Sequence, residues 1–119
     1  MNKLHTTPKA ILFDLDGTLA NTIKDITFAI NAALESISLE PINEVQGKSF
    51  VGRGLKNALV NALEARGKKV SDQQLDKLMA ILSKNYESYP VQFATAYEGA
   101  QEFLELCQSK QIIVGVLSN

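Results

Sequence analysis

The segment Ile-Leu-Phe-Asp-Leu-Asp-Gly-Thr-Leu, residues 11–19, constrains the fold more than any other stretch of this chain. An apolar run over residues 10–13 leads into two acids, Asp14 and Asp16, and Gly17 follows them. A short, continuously apolar run is typical of a strand that is buried on both faces, as in a parallel sheet. The segment therefore predicts a buried strand that carries two carboxylates to its carboxyl end.

The composition argues against several classes of function. A length of 119 residues is typical of one domain, and 12 Lys+Arg against 13 Asp+Glu give a formal net charge of -1. Such a balance offers no basic face to nucleic acid or to anionic lipid. The single cysteine, Cys107, permits no intramolecular disulfide, and no apolar run approaches the ~20 residues of a membrane span. We therefore expect a cytoplasmic protein that binds neither nucleic acid nor membrane.

Most of the chain after Gly17 is predicted to be helical. Apolar residues three and four positions apart between Leu19 and Ile37 mark one face of a helix, and Pro41 suits the first position of a short second helix. Three glycines within residues 47–54 indicate a loop. Ser71, three residues before a glutamine, predicts a capping box at the start of a further helix.

A second apolar run, residues 112–117, predicts another buried strand, and Ser118 and Asn119 follow it directly. Ligands of open parallel sheets lie beyond the carboxyl ends of the strands. Asp14 and Asp16 would lie at the carboxyl end of the first strand, and Ser118 and Asn119 at the carboxyl end of the second. The pattern of the strands alone therefore favours a functional site at this edge of the sheet.

The acid pair allows three interpretations on its spacing. Two nearby carboxylates can hold a hard cation such as Mg²⁺, or they can divide nucleophilic and acid–base duties. They can also form an ordinary solvated turn in which one acid caps a helix. Gly17 lets the backbone take a positive φ, and Thr18 would offer its hydroxyl and N–H to an anion at the start of the following helix.

Residues 13–19, Phe-Asp-Leu-Asp-Gly-Thr-Leu, resemble the first motif of the haloacid dehalogenase superfamily, Asp-x-Asp-x-Thr after a hydrophobic strand. Ser118, after its own apolar run, resembles the second motif. The helical stretch between them is similar to the cap inserted in one branch, and Val51-Gly52-Arg53-Gly54 is similar to a cap segment of phosphoglycolate phosphatases.

This resemblance implies an α/β fold with a Rossmann-like parallel sheet core and an inserted α-helical cap. The core would comprise residues 1–19 and 91–119, and the cap residues 20–90. Members of this branch are considerably longer, and their further portion supplies a lysine, an acidic metal-binding motif and the remaining core strands. The resemblance therefore implies that these residues are the N-terminal half of such a protein, inactive alone and in need of the missing C-terminal half or another chain.

The resemblance also implies roles for the acids. Asp14 would be the nucleophile that forms an aspartyl-phosphate, and Asp16 would be the general acid toward the leaving alcohol and then the general base for water. Mg²⁺ would bind both residues, through the Asp14 carboxylate and the Asp16 backbone carbonyl. Haloacid dehalogenases proper lack the second acid, so Asp16 favours phosphoryl transfer over dehalogenation.

Substrate-binding residues follow in the same way. Ser118 would donate a hydrogen bond to a phosphoryl oxygen, with Thr18 and Asn119 assisting, and Arg53 would contact an anionic group such as a carboxylate. The implied function is a Mg²⁺-dependent phosphatase of a small phosphorylated metabolite, with 2-phosphoglycolate the best candidate. The alternatives are a phosphosugar mutase of the same superfamily, a binding module that uses the acids only to hold Mg²⁺, and a non-catalytic fragment.

Overall fold

The computed structural model describes residues 6–88 and 92–118, which form five helices and two two-stranded sheets. The strands are β1 (Ala10–Phe13), β2 (Ala20–Asn21), β3 (Thr95–Ala96) and β4 (Ile113–Val116). The helices are α1 (Ile23–Glu35), α2 (Glu44–Phe50), α3 (Leu55–Ala65), α4 (Asp72–Ser88) and α5 (Ala100–Ser109). Strands β1 and β4 pair in parallel although all five helices lie between them in sequence, and the predicted α/β class is confirmed.

The described residues divide into two compact units. The sheet unit contains the chain up to Asn21 together with Thr95–Ser118, and the helical unit contains Thr22–Ala94. The chain therefore passes from one unit to the other twice, at 21–22 and at 94–95. The domain boundary predicted between residues 19 and 20 lies two residues before the first passage, and the one predicted between residues 90 and 91 lies outside the described residues.

In the sheet unit, one face of the parallel strands β1 and β4 is covered by helix α5 and the other is exposed. The register runs from Ala10 opposite Ile113 to Phe13 opposite Val116. Helix α5 packs on this sheet, where the Phe103 ring meets the Phe13 ring edge-on at 5.8 Å. On the other face, Leu12 and Ile113 are 73% and 71% exposed. The strands are apolar on both faces, as predicted, but within the sheet unit no described residue covers this second face, which agrees with the expectation of an incomplete core.

The helical unit has a core built from residues three and four apart on its helices, as expected for amphipathic helices, and Ile42 joins it from the segment before α2. Each core side chain is at most 3% exposed: Ile26, Ala29, Ile30, Ala33, Leu34, Ile42, Ala58, Leu59, Ala62, Leu63, Leu78 and Leu82. Among the described residues, no helix combines the length and the apolar character that crossing a bilayer requires.

Helix α2 begins later than predicted and extends into the predicted loop. Asn43, rather than Pro41, starts it, because the Asn43 Oδ1 accepts the N–H of Gln46 at 2.9 Å and the Gln46 Oε1 accepts the N–H of Asn43 at 3.1 Å. The helix continues to Phe50, so the loop predicted over residues 47–54 is confined to its second half. The capping box predicted at Ser71 is confirmed, since the Ser71 Oγ accepts the N–H of Gln74 at 3.2 Å.

Gly47 lets α2 approach α1 closely. A Cβ built on Gly47 would overlap the hydroxyl oxygen of Thr27 and lie 3.4 Å from the Thr27 Cβ. Thr27 is 6% exposed on α1, so its side chain has little room to move. Close packing of the two helices therefore requires a residue without a side chain at this position.

We expect Gly47→Ala to lower the free energy of unfolding by about 1–3 kcal/mol through this overlap, although alanine in a helix interior is otherwise about 1 kcal/mol better than glycine. In a Thr27→Ala background the overlap is removed, so the same substitution should become neutral or stabilising. Urea unfolding followed by circular dichroism measures both, with Lys48→Ala, an exposed neighbour on α2, as the control. A destabilisation that persists in the Thr27→Ala background would contradict the packing argument.

Candidate active site

The ends of β1 and β4 bring two distant parts of the chain to one edge of the sheet. Phe13 and Val116 are the last paired residues of the parallel strands. One residue further, the N–H of Leu117 donates to the Phe13 carbonyl at 2.9 Å. Asp14 and Ser118 therefore leave the sheet at the same edge, where ligands of open parallel sheets bind.

A compact turn follows Asp14 and fixes the second acid. The carbonyl of Leu15 accepts the N–H groups of Thr18, Leu19 and Ala20, each at 3.1 Å. Gly17 has a φ of +79°, a conformation that favours glycine, and its N–H donates to the Ala20 carbonyl at 2.9 Å. The sequence Asp-Gly-Thr after a strand thus builds a closed turn that holds Asp16 beside the strand end.

Asp16 and Ser118 lie within hydrogen-bonding distance, although 102 residues separate them in sequence. The Ser118 hydroxyl donates to the Asp16 Oδ2 at 3.3 Å, and the Asp16 side chain is partly buried. Asp14 is exposed, and its Oδ1 accepts the N–H of Leu15 at 2.9 Å. The structure therefore provides an accessible carboxylate on the strand end and, two residues on, a carboxylate held by a hydroxyl donor.

Thr18 does not lie at the start of a helix, and this sequence prediction was wrong. Helix α1 begins at Ile23, five residues later, and the Thr18 N–H is already used within the turn. The Leu15 carbonyl accepts the N–H groups of three successive residues, so residues 18–20 form a turn and not the start of a helix. Thr18 is exposed, so its hydroxyl rather than its N–H is the group it can offer to an anion.

Arg53 belongs to the helical unit, in the loop between α2 and α3. It lines a polar cavity of about 430 Å³ together with Ser49, Asn57 and Asn61. Gly54, with a φ of +87°, precedes the first residue of α3, so the cavity lies beside the start of an eleven-residue helix. Sequence reasoning singled out Arg53 but missed Asn57 and Asn61, whose spacing of four places them on one face of α3.

Two further predictions concern what completes the site. Asn119 lies outside the described residues. Within residues 6–88 and 92–118, no group of three or more His, Cys, Asp or Glu side chains is placed to hold a metal ion. At this edge, the carboxylate oxygens of Asp14 and Asp16 are available to a cation, with the Ser118 hydroxyl beside Asp16.

Known proteins match nearly the whole chain. A family model for haloacid dehalogenase-like hydrolases matches residues 11–119. The phosphoglycolate phosphatase of Rhodospirillum rubrum is 33% identical over 116 residues, which cover 94% of this chain and 48% of that protein. The phosphoglycolate phosphatase of Chromobacterium violaceum is 30% identical over 120 residues, which cover 100% of this chain and 53% of that protein. The chain thus spans about half the length of the curated relatives it matches.

A solved structure gives the same result for the fold. The crystal structure of a predicted phosphoglycolate phosphatase from Haemophilus somnus matches with a TM-score of 0.84 at 27% identity, over 97% of this chain and 53% of that one. The matched region includes both strand ends that carry the acids and the serine. Because the family model extends over residues 11–119, the chain belongs to the haloacid dehalogenase-like hydrolase family.

Proposed function

We propose that this chain is the acid-bearing part of a Mg²⁺-dependent phosphatase that hydrolyses a small phosphomonoester, with 2-phosphoglycolate as the leading substrate. The observation that carries the proposal is the position of Asp14, Asp16 and Ser118 at one edge of the parallel sheet. Relatives named phosphoglycolate phosphatase support the choice of substrate. Since the chain spans about half of those relatives, the activity is proposed for the assembly that contains it.

Asp14 is proposed as the nucleophile. Its carboxylate is exposed at the end of β1, so a phosphoryl group can approach it from solvent. A carboxylate oxygen attacks phosphorus, the bond from phosphorus to the substrate alcohol breaks, and an aspartyl-phosphate forms on Asp14. In the second step water attacks the same phosphorus, the bond to the Asp14 oxygen breaks, and inorganic phosphate leaves.

Asp16 is proposed to move the proton in both steps. It donates a proton to the departing alkoxide and then accepts one from the attacking water. Its side chain is held by the closed turn and by the Ser118 hydroxyl, which restricts where the proton can be delivered. Once substrate is bound, the Ser118 hydroxyl is proposed to turn from Asp16 to a phosphoryl oxygen, to which the Thr18 hydroxyl also donates, and Asn119 is proposed to assist them.

Mg²⁺ is proposed to bind at Asp14 and Asp16. The chemistry of the donors fits, because carboxylate and carbonyl oxygens are the ligands that a hard cation prefers. When bound, the cation would neutralise charge on the carboxylate and the phosphoryl group as they approach. The Asp14 carboxylate and the Asp16 backbone carbonyl would hold it, alongside ligands from outside the described residues.

Residues 20–90, which include most of the helical unit, are proposed to act as the cap, with residues 1–19 and 91–119 as the core. Arg53 and its polar cavity supply the features that a carboxylate of the substrate would require: a guanidinium and neighbouring amide groups. The uncovered sheet face around Leu12 and Ile113 supports the further proposal that additional polypeptide completes the core. We propose that the 119 residues alone have negligible activity for this reason.

The test uses a chimera in which these residues are joined to the part of the Rhodospirillum rubrum relative that has no counterpart here. We expect Mg²⁺-dependent, steady-state phosphate release from 2-phosphoglycolate by the chimera and a rate at background for the 119 residues alone. A malachite green assay measures both, with EDTA as the metal control. Steady phosphate release also separates a phosphatase from a mutase, which returns the phosphoryl group to its substrate.

The proposal fails if the folded chimera releases no phosphate from 2-phosphoglycolate or from other small phosphomonoesters. Binding of Mg²⁺ without turnover would then favour the binding-module alternative. Robust activity of the 119 residues alone would overturn the proposal that further polypeptide is required.

A further inference from the structure

Two segments connect the units, and contacts within the sheet unit hold them side by side. Strand β2 pairs antiparallel with β3, with Asn21 opposite Thr95. The N–H of Tyr97 donates to the Leu19 carbonyl at 3.1 Å and extends this pairing by one bond. The outgoing and returning segments are therefore a two-stranded ribbon where they join the helical unit, a feature that the sequence did not predict.

A second pair of contacts holds the returning segment within the helical unit. The Asp25 Oδ1 accepts the N–H of Phe93 at 3.0 Å, across 68 residues of sequence. Phe28, one turn further along α1, places its ring 6.2 Å from the ring of Phe93 at an angle of 61°. Both contacts act on the residue that lies two positions before β3.

The side chain of Asp25 is buried where, within residues 6–88 and 92–118, only one of its two carboxyl oxygens is hydrogen-bonded. Asp25 is 5% exposed in the first turn of α1, and its Oδ2 is buried with no hydrogen-bond partner among the described atoms. A buried carboxylate oxygen without a partner is unfavourable, so stability alone does not account for an acid here. What Asp25 supplies is an acceptor for Phe93, and the Oδ1 of an asparagine at this position could supply the same acceptor.

We propose that Asp25 is a positioning residue that makes the two connections open and close as one hinge. The Asp25–Phe93 bond and the β2–β3 ribbon lie on successive stretches of the same two segments, so loss of the first leaves the second free to fray. The use of this hinge by a cap rests on the proposed function, but the hinge itself requires no catalysis.

Residue-resolved amide hydrogen exchange on the 119-residue chain tests the coupling. The reporters are the amides of Phe93 in the helical unit and Tyr97 in the sheet unit. In Asp25→Ala we expect both to exchange about tenfold faster, and in Asp25→Asn both should stay within about twofold of the parent. Phe28→Leu, which removes the ring contact with Phe93 at a 42% exposed residue, should accelerate both by a smaller factor.

The matched control is Asn31→Ala on the same helix. The Asn31 Oδ1 accepts the N–H of Ile42 at 2.8 Å, and its Nδ2 donates to the Ile42 carbonyl at 2.9 Å, so the substitution also cuts a side-chain tie to a distant segment. It should leave the Tyr97 amide unchanged. The core amide of Leu59 reports global unfolding in every variant.

Several results would overturn the proposal. Acceleration of Phe93 alone in Asp25→Ala would mean that the two connections open independently. Equal acceleration of Tyr97 in Asn31→Ala, or of Leu59 in Asp25→Ala, would mean a general loss of stability. An Asp25→Asn variant that behaves like Asp25→Ala would show that the acceptor geometry is not the basis of the coupling. None of these results depends on phosphatase activity, so failure of the hinge and failure of the proposed function are distinguishable.

Discussion

Asp14→Asn in the chimera is expected to reduce phosphate release from 2-phosphoglycolate by more than about a thousandfold. An amide oxygen carries no negative charge and is a poor nucleophile, so the aspartyl-phosphate should not form. The fold should not change, because Asp14 is exposed and an asparagine Oδ1 can accept the same N–H of Leu15. Loss of activity would then report chemistry rather than stability.

The measurement compares the parent chimera with two variants, Asp14→Asn and Asp72→Asn, in each of which a carboxylate becomes an amide. Asp72→Asn removes an exposed carboxylate from the first turn of α4, in the helical unit, and should keep full activity. Mass spectrometry after acid quenching should find a phosphorylated peptide containing residue 14 in the parent and none in Asp14→Asn. Activity that survives Asp14→Asn within tenfold would assign the nucleophile to another residue.

The two strands of the parallel sheet, and the acids that follow the first of them, could be predicted because both depend on local chemistry. The apolar run of β1 has the predicted bounds, Ala10–Phe13, since four consecutive apolar residues between polar ones suit a short strand. The meeting of Asp16 and Ser118 could be anticipated from topology, because parallel strands end at the same edge. The family resemblance implied the fold class, and the two apolar runs are consistent with it.

Features that depend on competing hydrogen bonds could not be predicted in the same way. Proline at position 41 and asparagine at position 43 are both good helix starts, and the reciprocal bonds between Asn43 and Gln46 decide between them. The Leu15 carbonyl similarly delays the first helix to Ile23. Two-residue strands such as β2 are too short to show periodicity, so no sequence pattern predicted the pairing of β2 with β3.

The residues of the candidate site also differ in whether a local sequence motif or a distant contact brings them together. Asp14 and Asp16 could be proposed as site residues because a motif of neighbouring residues carries them. The cavity around Arg53 could not be outlined, because Asn57 and Asn61 join it only through the turn from α2 into α3. The sequence shows Asp25 only as an acid in the first turn of a helix. Its hydrogen bond to Phe93 could not be predicted, because the two residues are 68 positions apart.

Asp16→Asn is expected to lower turnover of 2-phosphoglycolate by the chimera by roughly 10²–10⁴-fold, the usual contribution of a general acid–base residue. Its effect should differ in kind from that of Asp14→Asn and depend on the leaving group. With p-nitrophenyl phosphate, the phenolate leaves without protonation, so the first step should proceed while hydrolysis of the aspartyl-phosphate stays slow. A rapid-mixing experiment should therefore show a burst of nearly one equivalent of nitrophenolate, followed by a slow steady state.

Ser118→Ala separates proton transfer from the positioning of Asp16. It removes the hydroxyl that donates to the Asp16 Oδ2 at 3.3 Å but leaves the carboxyl group itself, so it should slow both substrates without producing a burst. A burst in Asp16→Asn that is absent from Ser118→Ala would assign the second step to the Asp16 carboxylate. Equal loss with both substrates and no burst in Asp16→Asn would instead mean that Asp16 acts before the phosphoryl group is transferred, as a ligand or a structural support, and the assigned acid–base role would be wrong.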